Sequence, residues 1–122
     1  MGSLSMKTMA TQKFYLGEFE EIVLLAIVWL KDEAYGVKIR QLIEVETGRS
    51  VSIGAVYTTL ERLEKKGYVR SRQGETTPER GGKAKRYFRI EGAGAEALNQ
   101  VMNARKRMMA GIQGGDWQPV TT

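Results

Sequence analysis

The chain contains no cysteine and no histidine among its 122 residues. The absence of cysteine excludes disulfide bonds and thiol catalysis, and it is typical of a protein in a reducing cytoplasm. Without either residue, the usual zinc sites and nucleophile–histidine catalytic pairs are excluded as well. The acidic residues are spread over predicted helix exteriors and are not paired in a cleft. We therefore predict a cytoplasmic protein that is not an enzyme, with no catalytic residue, metal site or cofactor.

Long apolar runs are also missing. The longest, from Ile22 to Leu30, is far shorter than the roughly 18 residues that a membrane span needs. Residues 1–12 carry one lysine and no sustained apolar core, so they do not resemble a secretory signal. We predict no membrane partner, and a chain of this length is expected to form one domain.

A helix with one polar face is predicted between Ser52 and Gly67. Serine is favoured at helix N-caps, and glycine suits the left-handed residue that often follows a helix. Apolar residues recur every three or four positions and predict one buried stripe: Ile53, Val56, Leu60 and Leu63. Small, polar or charged residues form the opposite, exposed stripe: Gly54, Thr58, Glu61, Arg62 and Lys65.

Two further helices precede this one. Residues 15–33 have a helical pattern of apolar residues with acids in the first turn, where the helix dipole favours them. A second helix is predicted to start at Tyr35 and to run to about Thr47, with Gly48 ending it. A short turn containing glycine then leads into the polar-faced helix, which is the arrangement of a helix-turn-helix.

A positively charged hairpin is predicted after Gly67. Residues 68–72 and 84–90 are rich in aromatic and β-branched residues and predict two strands, with a long flexible loop over residues 73–82. Residues 70–90 contain seven positive and two negative side chains, a net +5 that equals the net charge of the whole chain. Charge that protects an edge strand from aggregation is one interpretation, but two or three cations would suffice for it. We favour a wing that binds nucleic acid beside the polar-faced helix.

The last predicted helix runs from Ala93 to Ile112. Its apolar residues fall on one side at heptad-like spacing: Leu98, Val101, Met102, Met108, Met109 and Ile112. Arg105 interrupts this seam and predicts either a pair with an acid or a position at its edge. The helix could fold back on the first helix or pair with its copy in a dimer. We favour the homodimer, to which the first helix would contribute Phe19, Ile22 and Val23.

Together these elements predict a mainly α fold with a small β-wing: a winged helix-turn-helix plus a long C-terminal dimerisation helix. The predicted parts are a disordered leader (1–13), the winged helix-turn-helix DNA-binding domain (14–91), the dimerisation helix (92–113) and a flexible tail (114–122). Trp117 lies in that tail, where it could be free or could dock on a groove.

The chain resembles the PadR family of bacterial transcriptional regulators over residues 19–112. The resemblance rests on Ser-x-Gly-Ala-Val-Tyr-x-x-Leu-x-x-Leu-Glu-x-x-Gly-Tyr-Val at 52–69, Gly-x-x-x-Arg-Tyr-Phe-x-Ile at 82–90, Gly94 with Leu98, Leu-Leu-Ala-Ile at 24–27, and Tyr35-Gly36. It implies a repressor that dimerises through its first and last helices. It also implies a small aromatic or lipophilic effector near the dimer interface. Trp29 and Met102 could line such a site or could be ordinary core, and both interpretations stand here.

The predicted partner is double-stranded DNA, bound at a pseudo-palindromic operator. For the major groove we predict Ser52, Gly54, Thr58 and Arg62. Phosphate or minor-groove contacts are predicted for Lys65, Arg80, Lys83, Lys85 and Arg86. Tyr57 borders both stripes, so we include it in the DNA-binding set while expecting its ring to pack. The alternative is a winged-helix protein–protein interaction module without DNA binding, which predicts a neutral or apolar recognition face.

Overall fold

The computed structural model describes residues 15–76 and 84–112. This part of the chain forms four α-helices and a two-stranded sheet in the order α1 (Glu18–Leu30), α2 (Gly36–Thr47), α3 (Ile53–Lys65), β1 (Val69–Thr76), β2 (Ala84–Ile90) and α4 (Gly92–Ala110). A single 3₁₀ turn, Lys31–Glu33, follows α1. This architecture confirms the predicted winged helix-turn-helix class. The predictions for the leader, the tail with Trp117, and the wing residues Arg80 and Lys83 lie outside the described residues.

The capping residues predicted at the ends of α2 and α3 adopt the expected conformations. The Ser52 hydroxyl accepts a hydrogen bond from the backbone N–H of Ala55 at 3.0 Å and so caps the start of α3. Gly48 after α2 and Gly67 after α3 have φ angles of 71° and 79°, a left-handed conformation that glycine adopts without steric cost. The turn between α2 and α3 and the turn into the wing are therefore encoded locally.

The core lies where α1, α2, α3 and the sheet meet. Val56, Leu60 and Leu63 are fully buried as predicted, whereas Ile53 at the start of α3 is 37% exposed and lies at the edge of the core. Val23 of α1 is completely buried inside the protomer. It therefore belongs to the core and cannot contribute to a dimer interface, which corrects its assignment from the sequence.

The wing is longer than predicted and is attached to the start of α2. β1 continues through residues 73–76, which the sequence assigned to the loop, and an irregularity in the register follows Gln73. Tyr35 forms an isolated antiparallel bridge with Tyr87, and the N–H of Phe88 donates to the carbonyl of Ala34 at 2.8 Å. The segment before α2 thus pairs with β2 and fixes the root of the wing against the helices.

The last helix contacts the rest of the protomer mainly through its first half. Gly94, Ala97 and Leu98 are buried, and Val101 and Met102 are partly buried against the core. Toward the end of the helix and just beyond it the side chains become exposed: Met108 by 75%, Met109 by 48% and Ile112, which follows the helix, by 48%. The predicted apolar seam is therefore divided between the protomer's own core and an uncovered apolar end.

Two adjacent buried acids of α1 bind residues that lie far away in the sequence. Glu20 accepts two hydrogen bonds from the Lys66 ammonium, at 2.8 and 3.0 Å, and one from the N–H of Gly17 at 2.8 Å. Glu21 accepts from Nε and Nη2 of Arg105, both at 2.9 Å. Arg105 therefore pairs with an acid, one of the two outcomes that its place in the seam predicted.

These contacts shift the pKa values of two groups. Burial raises the pKa of the Glu20 carboxyl, but the hydrogen bonds from Lys66 and Gly17 and the positive charges of Lys66 and Arg62 outweigh it, so the pKa ends below its ordinary value. The hydrogen bonds to Glu21 and the negative charge of that residue raise the pKa of Arg105. Both shifts favour the charged forms of Glu20 and Arg105 in these ion pairs.

Candidate nucleic-acid interface

The side of α3 that faces away from the core is exposed along its whole length. Five of the residues predicted to bind DNA lie there and are all exposed: Ser52, Gly54, Thr58, Arg62 and Lys65. They alternate with the buried residues in the way that a helical period of 3.6 requires. This arrangement gives one straight polar surface that combines hydroxyl donors and acceptors with two cations, suited to both base edges and phosphates.

Tyr57 borders this surface and packs on the start of α2. A Cβ atom added to Gly36 would lie 2.5 Å from both Cζ and the hydroxyl oxygen of Tyr57, far inside van der Waals contact. The glycine is therefore what admits the tyrosine ring at this position. Tyr57 remains 37% exposed, so its ring packs as expected while part of the side chain stays on the candidate interface.

The outer face of the wing carries cations held over aromatic rings. The Lys85 ammonium lies 4.2 Å from the centre of the Tyr35 ring, and the Arg72 guanidinium lies 4.6 Å from the centre of the Tyr87 ring. The two rings contact each other edge to face, with centroids 5.5 Å apart. Cation–π contacts of this kind restrict long side chains while leaving their charge available. The structure thus groups Lys85 with Arg72, which we did not select from the sequence.

Two more arginines share this face. Arg70 and Arg89 are directly opposite each other in the strand register, an arrangement in which like charges repel. Arg70 lies 3.4 Å from Glu91, and Arg89 lies 3.5 Å from Asp32. Both pairs are largely solvent-exposed, so each contributes little to stability. The outer face of the wing is therefore a basic surface in which local acids only partly offset the repulsion.

Arg86 lies on the opposite, inner face of the sheet. Its Nη2 donates to Glu64 at 2.6 Å and its Nε donates to Ser71 at 3.1 Å. Side chains alternate between the two faces of a strand, so Lys85 and Arg86 point in opposite directions although they are adjacent. We predicted that both contact phosphate; the structure leaves Lys85 on the outer face and engages Arg86 with its own protomer.

An apolar groove lies between α1 and α2. It has a volume of about 290 Å³ and is lined by Ile22, Leu25, Ala26, Trp29, Leu42, Ile43, Glu46 and Thr47. Trp29 is 61% exposed and belongs to its wall. Met102, the other residue considered for an effector site, lies on α4 and is not part of this wall. Within one protomer the structure therefore does not bring Trp29 and Met102 together in this groove.

Other kinds of site are not found in the described part of the chain. No three Asp or Glu side chains in residues 15–76 and 84–112 converge in a way that could hold a metal ion. None of the described helices combines the length and the apolar character needed to cross a bilayer. The polar surface of α3 and the outer face of the wing are thus the best-developed candidate site.

Comparison with known proteins gives a family and a fold. The sequence pattern of the transcriptional regulator PadR-like family matches residues 24–100. No curated protein matches the chain. Among solved structures, a transcriptional regulator from Clostridium thermocellum is similar, with 26% identity, coverage of 75% of this chain and 85% of that one, and a TM-score of 0.61.

Two other solved structures share the fold. A PadR-like transcription factor from Bacteroides fragilis is 23% identical, with coverage of 84% of this chain and 91% of that one and a TM-score of 0.63. A PadR-like transcriptional regulator from Bacillus cereus is 20% identical, with coverage of 75% and 84% and a TM-score of 0.63. At these identities the two likenesses support the fold alone.

Proposed function

Because the chain belongs to the PadR-like family of transcriptional regulators, we propose that it is a sequence-specific repressor. We propose further that it binds a pseudo-palindromic operator as a homodimer. Membership of the family makes it a DNA-binding regulator of transcription and not an enzyme. The proposal extends this to repression, to the operator and to the assembly. It also locates the protein in the cytoplasm, where bacterial DNA is found.

The observation that carries the proposal is the exposed polar surface of α3 beside the basic outer face of the wing. Phosphate contacts supply affinity and register, while contacts to base edges supply sequence choice. In our assignment Ser52, Gly54, Thr58 and Arg62 read the major groove, and Tyr57 borders it. Lys65 at the end of α3 and Lys85 on the wing bind phosphate, together with Arg80 and Lys83, which lie outside the described residues.

We assign dimerisation to the uncovered end of α4 together with the exposed side of α1. Met108, Met109 and Ile112 are 48–75% exposed within the described part of the chain, and they form an apolar surface that a second copy would remove from water. Phe19, Ile22, Val101 and Met102 would border the same interface through their partly exposed atoms, and Leu98, which is buried, would lie beneath it. A dyad would separate the two copies of α3 by about 34 Å, one turn of DNA.

We also propose that a small-molecule effector binds this protein. The support for this is the apolar groove with Trp29 in its wall, which suits a flat aromatic or lipophilic molecule. Binding of flat aromatic compounds should quench tryptophan fluorescence. Because Trp117 is the only other tryptophan, Trp117→Phe protein should retain the quenching and Trp29→Phe protein should lose it. The reverse pattern would place the ligand away from the groove.

The first experiment is a gel shift with DNA from upstream of the protein's own coding region, using scrambled DNA as competitor at about 50 to 200 mM salt. We expect a complex with two protomers that survives the competitor. Binding that disappears with the competitor on every promoter tested would contradict sequence-specific recognition. Absence of binding even at low salt would favour the alternative of a protein–protein interaction module.

A further inference from the structure

A closed ring of hydrogen bonds joins α3 to both strands of the wing. Arg86 on β2 donates from Nη2 to Oε1 of Glu64 at 2.6 Å. Glu64 in the last turn of α3 accepts through Oε2 from the Ser71 hydroxyl at 2.9 Å. Ser71 on β1 in turn accepts from Nε of Arg86 at 3.1 Å. We call these three residues the wing clamp.

The three side chains of the wing clamp are complementary in their hydrogen bonds. The carboxylate uses both oxygens as acceptors, the hydroxyl donates once and accepts once, and the guanidinium uses two adjacent donors. The Arg86 guanidinium also lies 5.0 Å from the centre of the Phe88 ring, and Phe88 is buried in the core. The side chain of Arg86 is therefore held at both its polar end and its flat face.

The wing needs such a contact because its own stability is small. A two-stranded hairpin alone is marginal in water, and the chain between α3 and β1 is only residues 66–68. The backbone pairing of residues 34 and 35 with β2 fixes one edge of the wing, and side-chain contacts across the junction with α3 contribute the remaining constraint on its angle. Charge-assisted hydrogen bonds with fixed fork geometry are among the strongest and most directional of these.

We propose that Glu64, Ser71 and Arg86 are positioning residues, which hold the wing at the angle to α3 at which both bind DNA together. This inference rests on the proposed function. Arg86 then acts through Glu64 and is not a phosphate ligand. Glu64, although an acid within a DNA-binding surface, strengthens DNA binding because it keeps the outer cations of the wing in register with the bases read by α3.

The competing account is simple charge neutralisation, and it predicts the opposite sign. If Glu64 only masks Arg86, then Glu64→Gln removes a negative charge, frees a cation and strengthens binding to every duplex. The salt dependence would then become steeper by about one unit, since one more phosphate is contacted. If the clamp positions the wing, the same substitution weakens binding and makes the salt dependence shallower, because wing contacts are lost.

The test uses the full-length protein and a duplex that the wild-type protein selects from a random library about three helical turns long. Binding of this duplex and of a scrambled one is measured over a range of salt concentrations. We expect Glu64→Gln and Ser71→Ala to weaken specific binding about threefold to tenfold, and Glu64→Ala to weaken it more. The matched control is Glu75→Gln on β1, an exposed acid outside the clamp, which should leave binding unchanged or slightly tighter.

Arg86→Lys separates the two accounts while conserving charge. A lysine could still neutralise a phosphate, but it lacks the paired donors that reach Glu64 and Ser71 together. We expect Arg86→Lys to lose about as much affinity as Glu64→Gln, and the double variant to lose no more than either alone, because the residues act as one unit. Wild-type affinity in Arg86→Lys protein would overturn the proposal, as would tighter binding by Glu64→Gln protein.

Circular dichroism and size exclusion would confirm that each variant is folded and assembled as the wild type is. If the Glu64→Ala variant fails to fold, the test can still be made with Glu64→Gln, which is nearly isosteric, and with Ser71→Ala, which is a small change. A wild-type protein that selects no duplex refutes the proposed function itself. A wild-type protein that binds specifically, with Glu64 variants that bind equally well, refutes only the clamp.

Discussion

At the scale of single residues, the buried acids of α1 show how partners escape detection in a sequence. Glu18, Glu20 and Glu21 all fit the preference for acids in the first turn of a helix, and the sequence supports no finer distinction. In the structure Glu20 binds Lys66 and Glu21 binds Arg105, residues 46 and 84 positions away. Only the folded topology brings such pairs together, so local patterns could not identify them.

The lowered pKa of Glu20 predicts a stability that depends on pH. A carboxyl whose pKa in the folded state lies below its ordinary value of 4.5 stabilises the protein above that value, and the contribution disappears as the pH falls through the folded-state pKa. Glu20→Gln should therefore reduce the free energy of unfolding by about 1–3 kcal/mol at pH 7. Urea titrations should show that its difference from wild type shrinks as the pH falls below the ordinary value of 4.5. A difference independent of pH would contradict the role of the charge.

A side chain at position 94, near the start of α4, is expected to clash with the neighbouring backbone. A Cβ atom there would collide with the backbone carbonyl of Tyr68, which already accepts a hydrogen bond from the N–H of Glu91 at 2.8 Å. Because backbone atoms cannot move aside cheaply, Gly94→Ala should destabilise the protein by about 1–3 kcal/mol in thermal or urea unfolding. The matched control is Gly92→Ala, since a Cβ atom at Gly92 meets nothing within 4 Å. Equal stability of the two variants would show that α4 shifts freely.

At the scale of elements, helices were easier to predict than the wing. The stripe and the capping residues of α3 lie within one local segment, so Ser52, Gly67 and the buried leucines could all be identified from sequence. The wing required the register between two strands, and this is not a local property. The period of two could have separated Arg86 from Lys85 and grouped Lys85 with Arg72, but the partners Glu64 and Ser71 depend on how α3 meets the sheet.

Substitutions in the exposed stripe of α3 are expected to affect DNA binding in two different ways. Thr58→Ala and Arg62→Ala should relax the sequence preference at one or two base pairs, at a cost of roughly 1–3 kcal/mol each on the selected duplex. Lys65→Ala, assigned to phosphate, should weaken binding to all sequences alike and reduce the salt slope by about one unit. Competition binding with single-base variants of the duplex measures both effects. Equal losses on selected and scrambled DNA for Thr58→Ala and Arg62→Ala would reassign those residues to positioning.

At the scale of the whole molecule, α1 contacts both the end of the helix proposed to bind DNA and the helix proposed to form the dimer. Through Glu20 it holds Lys66, which directly follows α3, and through Glu21 it holds Arg105 on α4. The Glu21–Arg105 pair therefore restricts the direction of α4 relative to α3. In a dimer formed through α4, this connection would set the distance between the two copies of α3, and hence the spacing of half-sites that the protein accepts.

The proposed dimer interface can be tested with a variant that separates assembly from folding. Met108 is 75% exposed in the protomer, so Met108→Glu leaves the core intact while adding charge to the uncovered end of α4. We expect this variant to be monomeric in sedimentation at micromolar concentration, with unchanged circular dichroism and weakened operator binding, because one half-site alone is then bound. Val45 on α2 is 76% exposed and gives a control of the same chemistry: Val45→Glu should remain dimeric. Dissociation by Val45→Glu but not by Met108→Glu would move the interface from α4 to α2, and with it the element that determines half-site spacing.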